Sequence, residues 1–115
     1  MKYLLMIYSD EARESRMTEA DARAEVAAYG AYAGAMAQAG VLVGGERLRP
    51  TADATSVRIR GGKTELLNGP YADTREQLGG YFMVDVPDLD AALHWAARCP
   101  TAPQGTIEVR PVWVM

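Results

Sequence analysis

The sequence predicts a single α+β domain with the core order strand, helix, strand, strand, helix, strand. Three observations carry this expectation. Lys2–Tyr8 is apolar on both of its alternating faces, the pattern of a strand at the centre of a sheet. Tyr81–Val86 repeats that two-faced pattern. Two stretches, behind Thr18 and behind Asp88, carry apolar residues at helical spacing after a capping residue. A chain of 115 residues is the size of one domain, so residues 1–115 are read as one unit. That length buries a core without a disulfide or a metal.

In the first strand, Leu4, Met6 and Tyr8 point one way and Tyr3, Leu5 and Ile7 the other. Ser9–Met17 reads as a polar connection. Thr18 then caps a helix running to about Ala39, with Asp21 in the capping-box position. Ala22, Val26, Tyr29, Ala33 and Met36 form its expected buried stripe, and Gly40 suits the left-handed residue past its end. Val41–Leu48 is a second strand in which Gly44-Gly45 marks a bulge or a close backbone approach. Thr55–Arg60 and Lys63–Leu67 flank Gly61-Gly62, the signal of a two-residue hairpin. After Tyr81–Val86, Asp88 caps a helix whose stripe is Leu89, Ala92, Leu93 and Ala96, ended by Pro100. Thr106–Val114 is the last strand, with Pro111 pointing to an edge. This order is the split βαβ pattern of a ferredoxin-like sandwich with the 55–67 hairpin inserted. Two helices cover one face of such a sheet. The other apolar face then calls for a partner, and a second copy with its sheet apposed is the simplest one.

The stretch from Asn68 to Gly80 stands apart. It opens on a turn-forming Asn-Gly-Pro, ends on Gly-Gly, and holds Asp73, Arg75, Glu76 and Gln77 with no apolar stripe. Such loops on a rigid scaffold carry binding or chemistry. The expectation is an ordered loop that folds over the sheet as one wall of the main cleft, with Tyr71 and Leu78 as buried anchors and Asp73 accepting backbone N–H groups.

Composition narrows the function classes. A net charge of −3 with scattered arginines leaves no basic track for nucleic acid. Cys99 is the sole cysteine, so no internal disulfide forms, and with one histidine the chain lacks the usual zinc ligand set. No cofactor-binding motif is present. The run Tyr3–Tyr8 is too short for a secretory leader or a membrane span. The chain is therefore read as cytoplasmic, without metal, cofactor, nucleic acid or membrane.

The motif Asn68-Gly69-Pro70-Tyr71-Ala72-Asp73-Thr74-Arg75-Glu76-Gln77-Leu78-Gly79-Gly80 resembles that of the YCII-related family in its DGPF-domain branch. Lys2–Tyr8, Gly44-Gly45-Glu46, Pro87-Asp88-Leu89-Asp90 and Glu108-Val109-Arg110-Pro111 extend the resemblance along nearly the whole chain. It implies a dimeric α+β barrel of two ferredoxin-like units with sheets face to face. The family's suspected catalytic His and Asp are not matched: Tyr29 stands at the first position and Cys99 near the second. The resemblance also implies an association with sigma-factor systems.

Among individual residues, Asp73, Glu76 and Glu46 are the candidate acid–base groups. For each there is a structural reading: Asp73 and Glu76 order their loop, and Glu46 is a strand-end charge. Tyr8, Glu46, Asn68, Pro70 and Asp73 are the candidate ligand-binding residues. His94 shares a solvated helix face with Asp90 and Arg98. Cys99, at a helix C-terminus where the dipole disfavours a thiolate, reads as a packed residue. Glu108 and Arg110 read as ion pairs on the sheet face that meets the partner. The functional expectation is a homodimeric protein that binds a small polar ligand beside the 68–79 loop. The alternatives are a cofactor-free isomerase, lyase or hydrolase, and a protein-interaction module serving a regulator.

Overall fold

The computed structural model describes residues 1–115. The elements are β1 (Lys2–Ser9), α1 (Glu11–Glu14), α2 (Glu19–Gln38), β2 (Leu42–Arg47), β3 (Thr55–Arg60), β4 (Lys63–Asn68), β5 (Gln77–Asp85), α3 (Leu89–Ala97) and β6 (Thr106–Pro111), with a 3-10 turn at Thr51–Asp53. Four strands form one antiparallel sheet in the order β2-β5-β1-β6, and β3 and β4 form a separate two-stranded sheet. β1 is central, as its two apolar faces require, and β6 is an edge, as Pro111 requires. No helix is long and apolar enough to cross a membrane.

The register decides which residues share a face. Tyr3, Leu5 and Ile7 oppose Val84, Phe82 and Gly80 of β5 and Pro111, Val109 and Ile107 of β6. This is the helix-covered face. Tyr3, Leu5, Val84, Tyr32, Met36, Ala92, Trp95 and Cys99 are buried together there. The Tyr32 hydroxyl donates to the Trp95 carbonyl at 2.7 Å and ties α2 to α3. Leu4, Met6, Tyr8, Leu78, Tyr81 and Met83 share the opposite face, and no helix packs on it.

Several elements differ from expectation, each for a local reason. The 9–17 connection contains α1, capped by the Asp10 carboxylate, which accepts from Ala12 N–H at 2.9 Å. The stripe of α2 is Tyr29, Tyr32 and Met36, whereas Ala22 is exposed and Val26 is 61% exposed, because this end of the helix spans a cavity instead of lying on the sheet. In α3 the buried residues are Ala92, Trp95 and Ala96. Two alanines let the helix approach closely, and the indole then fills the space that Leu89 and Leu93 leave by facing outward. β5 begins four residues earlier than apolar patterning suggests. Gly79 is the extra residue of a bulge between Ile7 and Tyr8, and Gly80 pairs with both Ile7 and Arg47. Pairing needs only backbone, and a Cβ on Gly80 would stand 2.8 Å from the Glu46 carbonyl. β6 ends at Pro111, and Trp113 to Met115 are exposed.

The remaining local features follow the sequence. Thr18 caps α2 by accepting from Asp21 N–H at 3.1 Å, and Asp88 caps α3 through Ala91 N–H at 2.9 Å. The β2 register slips between Leu42 and Gly44, so a bulge stands at the predicted glycine pair. Gly61 and Gly62 have φ of 56° and 76°, the left-handed pair of a type I′ hairpin turn. The molecule measures 48 × 44 × 19 Å with a radius of gyration of 16.1 Å. A compact chain of this length has a radius of about 13 Å. The excess reflects a thin slab, one sheet and one helical layer deep, with a hairpin whose Val57, Ile59 and Leu66 are exposed.

Candidate functional site

A cleft opens between α2 and the sheet, at the end of the sheet where β1 leads into α1. Its larger chamber holds about 410 Å³, and an adjoining one holds about 300 Å³. Ser9, Glu14, Arg47 and Gly79 border both, so the two are halves of one cleft. The larger half has apolar walls from Ile7, Met17, Val26, Tyr29 and Phe82. The smaller half is polar, with Glu11, Arg49 and Gln77.

The cleft exists because of how the strands end. Ile7, Phe82 and Gly45 lie on the helix-covered face, but Gly45, Gly79 and Gly80 contribute no side chains above the sheet. A Cβ on Gly45 would stand 2.6 Å from the Phe82 ring, so that close approach requires glycine. Tyr29 closes the inner end of the larger chamber. Its ring stacks on Phe82, with centroids 6.3 Å apart and planes 15° apart. Its hydroxyl lies 2.5 Å from Thr101 Oγ1 and 3.4 Å from Cys99 Sγ. Burial pushes the Tyr29 phenol well above its usual range, and the Cys99 contact adds to that shift. Tyr29 is therefore a protonated group near neutral pH and cannot serve as a base. Cys99 is buried and packed.

α1 closes the polar half. Glu11 accepts from the Thr51 N–H at 2.8 Å and the Thr51 hydroxyl at 2.7 Å, and its own N–H donates to Gln77 Oε1 at 2.9 Å. Ser9 Oγ donates to Glu14 at 2.9 Å. Arg13 reaches under α2 to within 4.0 Å of Glu25. Nε and Nη2 of Arg13 are buried without a hydrogen-bond partner. No group of three or more His, Cys, Asp or Glu side chains is arranged to hold a metal ion.

The residues singled out in the sequence are scattered by the fold. Glu46 borders the larger chamber, although its pairing with Tyr81 assigns it to the uncovered face. Tyr8 also lies on the uncovered face, paired with Leu78, because strand alternation turns it away from the chamber that Ile7 and Ser9 border. Asn68 ends β4 opposite Thr55, and neither it, Pro70 nor Asp73 borders the cleft. The segment before Gln77 is not a cleft wall, and Tyr71 is 74% exposed instead of being a buried anchor. Its first residues are drawn toward the hairpin, where Gly69 N–H donates to the Ala54 carbonyl at 2.7 Å and Ser56 Oγ donates to the Gly69 carbonyl at 3.0 Å. Asp73 makes no hydrogen bond. The loop is held instead by Gln77 Nε2 on the carbonyls of Thr74 and Arg75, and by Thr74 Oγ1 on the Glu76 carbonyl. Glu76 is turned toward β6, where it accepts from Thr106 Oγ1 at 2.7 Å. His94 is exposed beside the Trp95 ring. Glu108 and Arg110 form an ion pair at 2.8 Å on the uncovered face.

Sequence reasoning did not single out Ser9, Arg47 or Thr101, assigned Val26 to the buried stripe of the first helix, and favoured a core role for Tyr29 over a pocket-lining one. The glycines opposite Arg47 were the available signal, because a strand pair without side chains leaves a hollow.

Comparison with known proteins places the chain in a family. The family model of the YCII-related domain matches residues 1–115. The chain belongs to the YCII-related family. An uncharacterised protein of Rhizobium meliloti (strain 1021) is similar to it, with 33% identity over 114 residues that cover 97% of this chain and 92% of the relative. In this YCII-related chain, Tyr29 and Cys99 come within 3.4 Å at the inner end of the cleft.

Proposed function

We propose that this YCII-related protein, of the DGPF branch, is a cytoplasmic homodimer that binds a small organic ligand in the cleft under α2. One observation carries the reading: a chamber of about 410 Å³, apolar-walled and open at a polar end, that no side chain of the chain fills. Sites for small molecules are concave, mostly apolar and equipped with a few convergent polar groups. The strand order β2-β5-β1-β6, with both long helices on one face, supports the ferredoxin-like description. The uncovered apolar face supports pairing of two such sheets into a barrel.

Of the three candidate carboxylates, only Glu46 borders this cleft. That favours binding over acid–base catalysis by the Asp73 and Glu76 pair.

A thermal-shift screen against small metabolites tests the reading, with Val26→Trp as the control that fills the larger chamber. Ligands should raise the midpoint of the wild type by mass action and leave the variant unmoved. Equal shifts in both proteins would place binding elsewhere, and no shift with any compound would remove the reading.

A further inference from the structure

We infer that Arg47 is the anchor of the cleft, and that the ligand class is a small monocarboxylate with an apolar body. The inference rests on the reading of the cleft as a small-molecule site and specifies what enters it.

Arg47 is the last residue of β2 and pairs with Gly80, which itself pairs with Ile7 of the helix-covered face. Its side chain therefore belongs to the cleft side of the sheet, and Gly80 offers nothing for it to pack against. It borders both halves of the cleft, at the boundary between the apolar chamber and the polar one.

Its charge is also uncommitted. Arg49 is paired with Asp53 at 2.8 Å and Arg58 with Glu65 at 2.9 Å, whereas Arg47 makes neither an ion pair nor a side-chain hydrogen bond. A guanidinium presents a planar fork that matches a carboxylate with two parallel hydrogen bonds. A ligand held there would lay its apolar body toward Val26, Tyr29 and Phe82.

The other charges set the limit on the anion. Both Glu11 oxygens are occupied by Thr51, Glu14 accepts from Ser9, and Glu25 faces the Arg13 guanidinium. These carboxylates are partnered but remain negative, and Glu46, which also borders the larger chamber, adds a negative charge with no side-chain hydrogen bond or ion pair of its own. They tolerate one negative charge at Arg47 and disfavour a second, so dicarboxylates and phosphate esters are poor ligands.

The test uses phenylacetate and 3-phenylpropionate, their neutral primary amides, and phenylmalonate, titrated into the full chain. Calorimetry and proton–nitrogen correlation spectra that include the arginine Nε resonances report binding. The expected result is millimolar or tighter binding of the two monoacids, with the Arg47 Nε resonance moved. The amides and phenylmalonate should bind at least about tenfold more weakly. Arg47→Ala should cost the acids about tenfold or more, whereas Arg58→Ala should cost nothing.

Amides that bind as tightly as the acids, and lose binding in Val26→Trp but not in Arg47→Ala, would overturn the inference while leaving the cleft as a binding site. Binding of neither acids nor amides, with the cleft resonances unmoved, would overturn both. Phenylmalonate binding at least as tightly as the monoacids would overturn the assignment to a single negative charge.

Discussion

The Gln77 side-chain amide makes three hydrogen bonds: two to the Thr74 and Arg75 carbonyls of the loop before its own strand, and one from the Glu11 N–H. The Asp73 carboxylate, four residues earlier, makes none. Gln77→Ala should therefore cost about 1 kcal/mol in urea unfolding, because it leaves the partly buried Glu11 N–H without its acceptor and removes two exposed bonds to the loop carbonyls. Asp73→Ala should leave stability within about 0.5 kcal/mol. A reversal of that order would mean that the carboxylate holds the loop after all. Two phenols give a second prediction. Burial raises the pKa of both Tyr29 and Tyr32 above the ordinary value of about 10. Below that value both states are protonated and the stabilisation is complete. Above it the unfolded chain releases its protons first, so stability falls as pH rises. Chemical denaturation from pH 8 to pH 12 should show this decline. Tyr32→Phe should be less stable at pH 8, having lost its hydroxyl bond to Trp95, but should decline less steeply above pH 10.

At the scale of elements, the β3–β4 hairpin depends on its turn. Both turn glycines have positive φ, where a side chain costs about 1–2 kcal/mol per residue. Replacing Gly61-Gly62 with Asn-Gly should preserve the hairpin, and Val-Val should destabilise it selectively, as read by amide exchange in β3 and β4 relative to β1. Loss of protection across the whole sheet would show that the hairpin is integral to the core. This turn was fully legible in the sequence, as were the caps at Thr18 and Asp88 and the central position of β1, because each depends on residues close together in the chain. The stripe of α3 was less so, since the buried Trp95 packs beside Tyr32 of α2, 63 residues away in the chain. The cleft was least legible. Tyr29 and Thr101 are 72 residues apart, and they meet only once the sheet has assembled. The Asn68–Gly80 motif stood out because it is polar and glycine-rich. Its first residues serve the root of the hairpin, Thr74 to Gln77 bond to one another, Glu76 bonds to Thr106 of β6, and only the last residues, from Gln77 on, border the cleft.

The whole molecule is a slab 19 Å thick whose sheet is covered by helices on one side only. Leu4, Met6, Tyr81 and Met83 on the uncovered side are half-buried by one another and by no other layer. The proposed dimer makes them a second core, flanked by the Glu108–Arg110 ion pair. Sedimentation equilibrium at micromolar concentration should give twice the chain mass of 12.5 kDa. Met83→Glu, which adds an unpaired charge at the centre of that face, should shift the equilibrium to monomer. A wild-type monomer would remove the barrel proposal. A Met83→Glu dimer would move the interface to another surface, such as the exposed apolar side of the hairpin.

The chain also contains its own pair of optical reporters. Its two tryptophans differ sharply in surroundings: Trp95 is 9% exposed, whereas Trp113 in the tail after β6 is 87% exposed. Trp95 carries the Arg98 guanidinium 4.5 Å above its ring and packs beside Tyr32. An isolated protomer should thus emit as two populations, one blue-shifted and shielded from iodide, the other red-shifted and freely quenched. Dilution through the association constant would then be visible without any label. If the tail lies within the paired assembly, the quenchable fraction rises as protomers separate. If the tail lies outside it, the spectrum is independent of concentration while the mass is not.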